Sequence, residues 1–197
     1  MMQARQQLSA LAFDLTRLHR RTVTSFYSNL VTRPTGRAVR MGLEQQLSEA
    51  AGAGGPCLSI LDFSQVRVMD YSCADEIVAK LLLQYAAAER TLEVYFLARG
   101  LQEHHLESVE AVLDRHGLLL AAEGGCGATL LGPATPHERK CWEVLVRHGR
   151  VRIRELAASS GLPENAIGRM VHRFIAARVA VSLPGDLICP IPQLNDA

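Results

Sequence analysis

No apolar run in this chain approaches the roughly 20 residues needed to cross a bilayer, and its opening residues lack the apolar core of a signal peptide. The chain is therefore expected to make no membrane contact. Its five cysteines, Cys57, Cys73, Cys126, Cys141 and Cys189, stand singly, with no Cys-x-x-Cys. That pattern argues against a disulfide framework or a structural zinc site and for a reducing compartment, so the expected location is the cytoplasm. An excess of either charge is missing too, since 21 Lys/Arg stand against 20 Asp/Glu and the formal net charge is +1. Aromatics make up only 5% of residues, which leaves the core to aliphatic side chains.

Enzyme signatures are equally scarce. No Gly-Lys-Ser/Thr follows the Pro34-Thr35-Gly36 turn at P-loop spacing, and there is no His-Glu-x-x-His. His104 and His105 are adjacent, so on a helix they point to different sides and cannot share a metal with Glu103 and Glu107. Cys73 is the one candidate activated thiol, and the nearby Asp75 and Glu76 would raise rather than lower its pKa. The expectation is a protein without metal, cofactor or catalytic site.

What is present is an ordered alternation. The 197 residues can form one large domain or two small ones. Gly132-Pro133-Ala134-Thr135-Pro136 blocks helix continuation, which suggests domains at 1–132 and 137–197 joined by a linker at 133–136. Residues 1–136 hold 12 Lys/Arg against 14 Asp/Glu, whereas 137–192 hold 9 against 5. The basic second part is compatible with nucleic acid, and equally with a solvated surface. Before the linker the pattern predicts a strand at Ser9–Leu15 and a strand or helix at Thr22–Leu30. A helix at Gly36–Ala50 follows with Thr35 as N-cap, then a buried strand at Cys57–Phe63 and a helix at Ala74–Ala88. A strand at Leu92–Leu97, a helix at Leu106–His116 and two short strands complete it. This order implies an α/β fold with a mixed sheet. After the linker it predicts helices at His137–His148, Arg154–Ser159 and Glu164–Ala177, then a hairpin.

The stretch Leu61-Asp62-Phe63-Ser64-Gln65-Val66-Arg67-Val68-Met69-Asp70-Tyr71-Ser72-Cys73-Ala74-Asp75-Glu76-Ile77 resembles the signature of STAS domains, the fold of anti-sigma-factor antagonists. There a buried strand ends in Asp-Leu-Ser, and a Met-Asp-Ser-Ser-Gly turn enters a helix. The resemblance is best over residues 57–98. It places Ser72 on the serine phosphorylated in those antagonists and implies a partner protein, in that family a histidine-kinase-like ATPase. Asp70, Tyr71, Cys73, Asp75 and Glu76 are then the candidate docking residues. Tyr71 and Cys73 depart from the pattern. Asp75 and Glu76 would complement the helix dipole and repel a phosphate, and Ser72-x-x-Asp75 also reads as a plain helix cap.

Two further stretches stand out. Arg33, Thr35, Arg37 and Arg40 surround a Pro-Thr-Gly turn, where they are candidates to contact an anion or acidic partner, or are simply solvated. Arg150 to Val171, with Glu155-Leu156-Ala157 ahead of the turn residue Gly161, resembles the winged helix-turn-helix of many bacterial regulators. That resemblance makes Asn165, Arg169, His172 and Arg173 the candidate DNA-binding face. The wing Ser182-Leu183-Pro184-Gly185-Asp186 has no Lys or Arg, which suits a protein-interaction surface as well. Two functions follow as expectations. In one, a STAS-like sensor governs a winged helix that binds double-stranded DNA, with a homodimer reading paired half-sites. In the other, both parts bind only proteins.

Overall fold

The computed structural model describes residues 19–23, 28–51, 56–86, 93–125 and 127–194; the strand expected at Ser9–Leu15 lies outside them. The protein is mixed α/β. Strands β1 (His19–Val23), β3 (Cys57–Asp62), β5 (Val94–Arg99), β6 (Leu120–Gly124) and β7 (Gly127–Leu131) form one sheet in the order β1-β3-β5-β6-β7. The first four are parallel, and β7 runs antiparallel to β6. Beside it, β2 (Asn29–Leu30) and β4 (Val68–Met69) pair in parallel.

Three crossover helices join the parallel strands: α1 (Arg33–Ala51), α2 (residues 71–86) and α3 (Glu103–His116). Each crossover steps to the neighbouring strand in the same direction. With a single hand of crossover, all three helices fall on one face of the sheet. The packing follows: Cys57, Leu61, Phe96 and Leu120 meet Leu43 and Leu47 of α1, Ile77 and Leu81 of α2, and Val109 and Leu113 of α3.

The alternate residues of the same strands form a second apolar face, because successive side chains in a strand point to opposite sides. Leu58, Ile60, Tyr95, Leu97 and Ala121 are all buried there. They are covered by the C-terminal part: α4 (Pro136–His148), α5 (Ile153–Ser160), α6 (Glu164–Ala176) and a small antiparallel sheet of β8 (Val151–Arg152), β10 (Leu187–Pro190) and β9 (Ala180–Leu183). Trp142, Leu145, Phe174 and Ile191 share one apolar cluster with the second face. Residues 133–136, read above as a linker, thus join two parts with a common core.

Helix α4 is fastened to β7 by polar contacts as well. Trp142 Nε1 donates to the Ala128 carbonyl (3.1 Å), and Arg139 donates to those of Leu130 (2.6 Å) and Gly132 (2.9 Å). Thr135 and Glu138 cap each other's backbone N–H groups, and Pro136 occupies the first turn, where its missing donor costs nothing. The turn into this helix requires Gly132: its φ is +96°, and a Cβ there would sit 2.1 Å from the Leu118 carbonyl oxygen.

Two helix starts differ from the sequence reading. Helix α1 begins at Arg33, so Thr35 lies inside it rather than capping it. Helix α2 begins at Tyr71 because Asp70, not Ser72, is its N-cap. A fragment ending at residue 132 is expected to expose the second sheet face, bind anilinonaphthalene sulfonate strongly and lose cooperative unfolding. A soluble fragment that melts in one sharp transition without binding the dye would contradict this account of the core.

Candidate functional site

The start of α2 is organised around one carboxylate. Asp70 Oδ1 accepts the Cys73 backbone N–H (2.8 Å) and the Ser72 hydroxyl (2.9 Å), while Oδ2 accepts the Thr32 backbone N–H (3.0 Å). Asp70 therefore caps α2 and ties it to the residue just before α1. Burial alone would raise its pKa, but the three donors outweigh burial and hold it below the ordinary carboxylate range. Thr32 takes a left-handed φ of +80°, which aims its N–H at Asp70 and its carbonyl at the Cys73 thiol (3.0 Å). The same tie is why Ser72 does not act as the cap: its hydroxyl is already turned back on Asp70.

Helix α2 then changes form. An α turn, Tyr71–Ala74, passes into a π-helical segment, Asp75–Ala79, and returns to α at Lys80–Ala86. Such wide turns recur where function places unusual side chains. Here the segment carries two consecutive carboxylates into the interior: Asp75 is 4% exposed and Glu76 0%.

Both carboxylates are met by cations. Arg33 Nη1 reaches Asp75 (2.7 Å) and Glu76 (3.0 Å), Arg40 Nε reaches Glu76 (3.3 Å), and His116 Nε2 reaches Asp75 (3.0 Å). Lys80 pairs with Glu76, and Arg40 also pairs with Glu44. Burial would raise both pKa values. Hydrogen bonds from Arg33 and His116 to Asp75, and from Lys80 and Arg33 to Glu76, more than offset it, so both are held low. The network joins α1, α2 and α3 through buried charge.

Close approach of the helices makes this possible. A Cβ on Gly36 would lie 2.9 Å from Cys73 Cα and 3.0 Å from Glu76 Cβ. Only glycine fits without displacement, and α1 can then lay Arg33 and Arg40 along the π segment. Gly36 entered the sequence reading as a turn residue; its neighbours Arg33 and Arg40, one turn apart on either side, were the signal of its packing role.

The candidate residues therefore divide differently from the sequence reading. Cys73, Asp75 and Glu76, read as docking groups, are buried, whereas Tyr71 is exposed and Ser72 and Asp70 half-buried. Of the basic group, Arg33 and Arg40 turn onto Asp75 and Glu76, Arg37 is exposed, and the Thr35 hydroxyl lies 3.1 Å from that of Thr32. Two stretches read separately are one cluster. The Cys73 thiol is pushed up to about 11, first by burial and then by Asp70, so it stays protonated at neutral pH. Around the rim, Arg115 donates to the Tyr71 hydroxyl (3.2 Å).

Searches against protein-family models, curated proteins and solved structures find no match to this chain. Its function is therefore read from its residues. Among the described residues no group of three or more His, Cys, Asp or Glu has metal-binding geometry, and no helix is long and apolar enough to cross a membrane.

On α6, Asn165, Arg169 and His172 are exposed, opposite the buried Ile167, Val171 and Phe174. Arg173, the fourth of these candidates, donates to Glu138 (2.6 Å) and to the Pro133 carbonyl (2.9 Å), which ties α6 to the start of α4 while its side chain stays 38% exposed.

His105 is the other buried ionisable group near this region. It is fully buried in the first turn of α3, where its Nδ1 accepts the Gln102 backbone N–H (3.2 Å). Burial, reinforced by His104 with ring centroids 4.0 Å apart, lowers its pKa.

These shifts give two tests. Asp70, Asp75 and Glu76 have depressed pKa values, so their stabilisation is present above the unfolded values of 3.8 and 4.5. It is lost as pH falls through the folded ones. Glu76→Gln removes the one fully buried charge that Arg33, Arg40 and Lys80 share and is expected to lower stability at pH 7 in urea unfolding, by less than a fully buried pair would because Arg33 and Lys80 are partly solvated. Unchanged stability would mean the network contributes nothing. His105 acts higher. The unfolded chain takes up a proton near pH 6.5 that the folded chain refuses, so stability falls below that pH by at most about 1.4 kcal/mol per pH unit. His105→Gln keeps an acceptor for the Gln102 N–H and should flatten the melting temperature between pH 7 and 5.5. An unaltered slope would assign that dependence elsewhere.

Proposed function

We propose that this protein is a regulator in which a STAS-like, partner-binding half governs a winged-helix half that binds double-stranded DNA. The observation that carries the reading is the exposed row of Asn165, Arg169 and His172 on a helix whose other side is packed into the core. A fixed helix presenting amide, guanidinium and imidazole groups suits the major groove, where Asn reads adenine and Arg reads guanine. The preceding α5 and the Gly161 turn, with φ +69°, support the helix-turn-helix resemblance. Exposed Arg154 on α5 adds a group for the phosphate backbone.

In the first half, the face offered to a partner is the rim of the charged cluster: Tyr71, Ser72, Arg37 and Arg115. Phosphorylation of Ser72 would replace its hydrogen bond to Asp70 with repulsion between anions. Asp70 would release the Thr32 and Cys73 N–H groups, and α1 would lose its tie to α2. Asp75 and Glu76, neutralised by Arg33, Arg40 and Lys80, would oppose that phosphate little.

A second reading is a protein-only switch, in which the C-terminal half is another interaction surface. It is favoured by the wing: the turn Pro184-Gly185-Asp186 between β9 and β10 offers a carboxylate where a phosphate clamp offers a cation.

Fluorescence anisotropy with random-sequence duplexes at several salt concentrations separates the two. The DNA reading expects binding whose log affinity falls linearly with log salt, and Arg169→Ala should reduce that slope by about 1 for a phosphate contact. A discriminating base contact would instead cost about 1–3 kcal/mol on the selected site. Absence of binding at low salt would favour the protein-only switch.

A further inference from the structure

A cavity of about 260 Å³ lies where the two halves meet, at the end of the sheet opposite the Asp70 turn. Helix α2 starts beside Asp70 and ends at this cavity, contributing Leu82 and Tyr85. Val94 and Phe96 open β5 there, and Leu118 and Leu120 flank the start of β6. The other wall is the end of α6 and the residues after it, from Arg173 to Val179. For scale, an engineered apolar cavity of about 150 Å³ accepts benzene, so this space admits a ring with a side chain or a medium-length alkyl chain.

Its lining residues are apolar apart from Tyr85, Arg173 and Arg178. Arg178 is held in the left-handed region, φ +57°, which residues other than glycine, asparagine and aspartate seldom adopt. That conformation brings its Nη1 to the Val94 carbonyl (3.0 Å) and its guanidinium carbon 5.9 Å from the centre of the Tyr95 ring. Among the described residues no carboxylate forms an ion pair with it; its guanidinium is met by the Val94 carbonyl and by the ring of Tyr95, whose hydroxyl donates to Glu93. A guanidinium has five donors, and one carbonyl leaves most of them for a ligand. Arg173 on the same wall is already paired with Glu138, which leaves Arg178 as the cation for a ligand.

We propose that this cavity binds a small amphipathic organic carboxylate. The apolar body lies against Phe96, Leu118 and Leu120, and the carboxylate pairs with Arg178. Apolar walls with a few polar groups that fix orientation are the usual make-up of small-molecule sites, and a guanidinium receives a carboxylate through two parallel hydrogen bonds. The site goes beyond the DNA-binding reading and does not depend on it, since it needs only the two halves packed as they are.

The test is calorimetric titration of the full chain with sodium octanoate and with 1-octanol, which shares the chain but lacks the charge. Octanoate should bind saturably at one site and raise the melting temperature, with octanol at least about tenfold weaker, as loss of a charge-assisted bond implies. Arg178→Gln should bring octanoate down to the affinity of octanol. Ala176→Leu, which adds bulk at the α6 wall with a good helix former, should weaken both while leaving the unliganded protein folded. The proposal is overturned if octanoate shows no saturable binding, if octanol binds equally well, or if neither substitution changes octanoate affinity in a folded protein.

Discussion

A sheet with two apolar faces needs two covering layers, and three crossovers stepping one way can supply only one. Everything else in this protein follows from how the second layer is provided. Helices α1 to α3 occupy the first face as a matter of handedness. The second face, lined by Leu58, Ile60, Tyr95 and Leu97, falls to the segment after residue 132. Covering it fixes α4 on β7 through Trp142 and Arg139, and α4 in turn holds α6 through the Arg173–Glu138 pair. The direction in which Asn165 and Arg169 face is thus decided by the pleat of a sheet laid down earlier in the chain.

The first face has a different organising element. Apolar packing alone would leave the relative positions of α1 and α2 loosely specified, since aliphatic contacts are non-directional. Asp75 and Glu76, buried between Arg33, Arg40, Lys80 and His116, add direction. Buried ion pairs contribute little net stability against well-packed apolar groups, but breaking one is costly. Gly36 sets the distance at which the pairs can form, and Asp70 sets the angle at which α1 departs. Together they define one arrangement of the helices at the rim formed by Tyr71 and Ser72.

Much of this was legible in the sequence. The apolar run of β3 marked a buried strand and that of β5 a further strand, and both are buried on two sides, as parallel strands are. The helix ends at Gly117, Gly149 and Gly161 were signalled by glycine, and each takes a positive φ. The two-proline segment ahead of α4 was visible, but its role was not: separation in sequence carries no information about whether two parts share a core. The charged cluster was hidden for a related reason. Periodicity describes one helix at a time, so Arg33 and Arg40 read as contacts for an outside anion or as a solvated face of α1, and Asp75 and Glu76 as docking groups that also complement a helix dipole. The π segment has no compositional mark, and without it consecutive carboxylates are not expected to point inward together. Helix starts slipped by three residues at α1 and α2 because Thr32 and Asp70, which set them, bond to each other across 38 positions.

The late cover on the sheet bears on how the chain is made. Translation proceeds at roughly 5–20 residues per second, so the strands and their first layer of helices emerge several seconds before residues 136–194. During that interval Leu58, Ile60, Tyr95 and Leu97 form a bare, strongly apolar plane on the nascent chain. Such a surface is what general chaperones at the ribosome exit hold, and what neighbouring nascent chains would otherwise stick to. The order of elements thus makes yield in the cell sensitive to elongation rate through residues 136–194, even where the finished protein is stable.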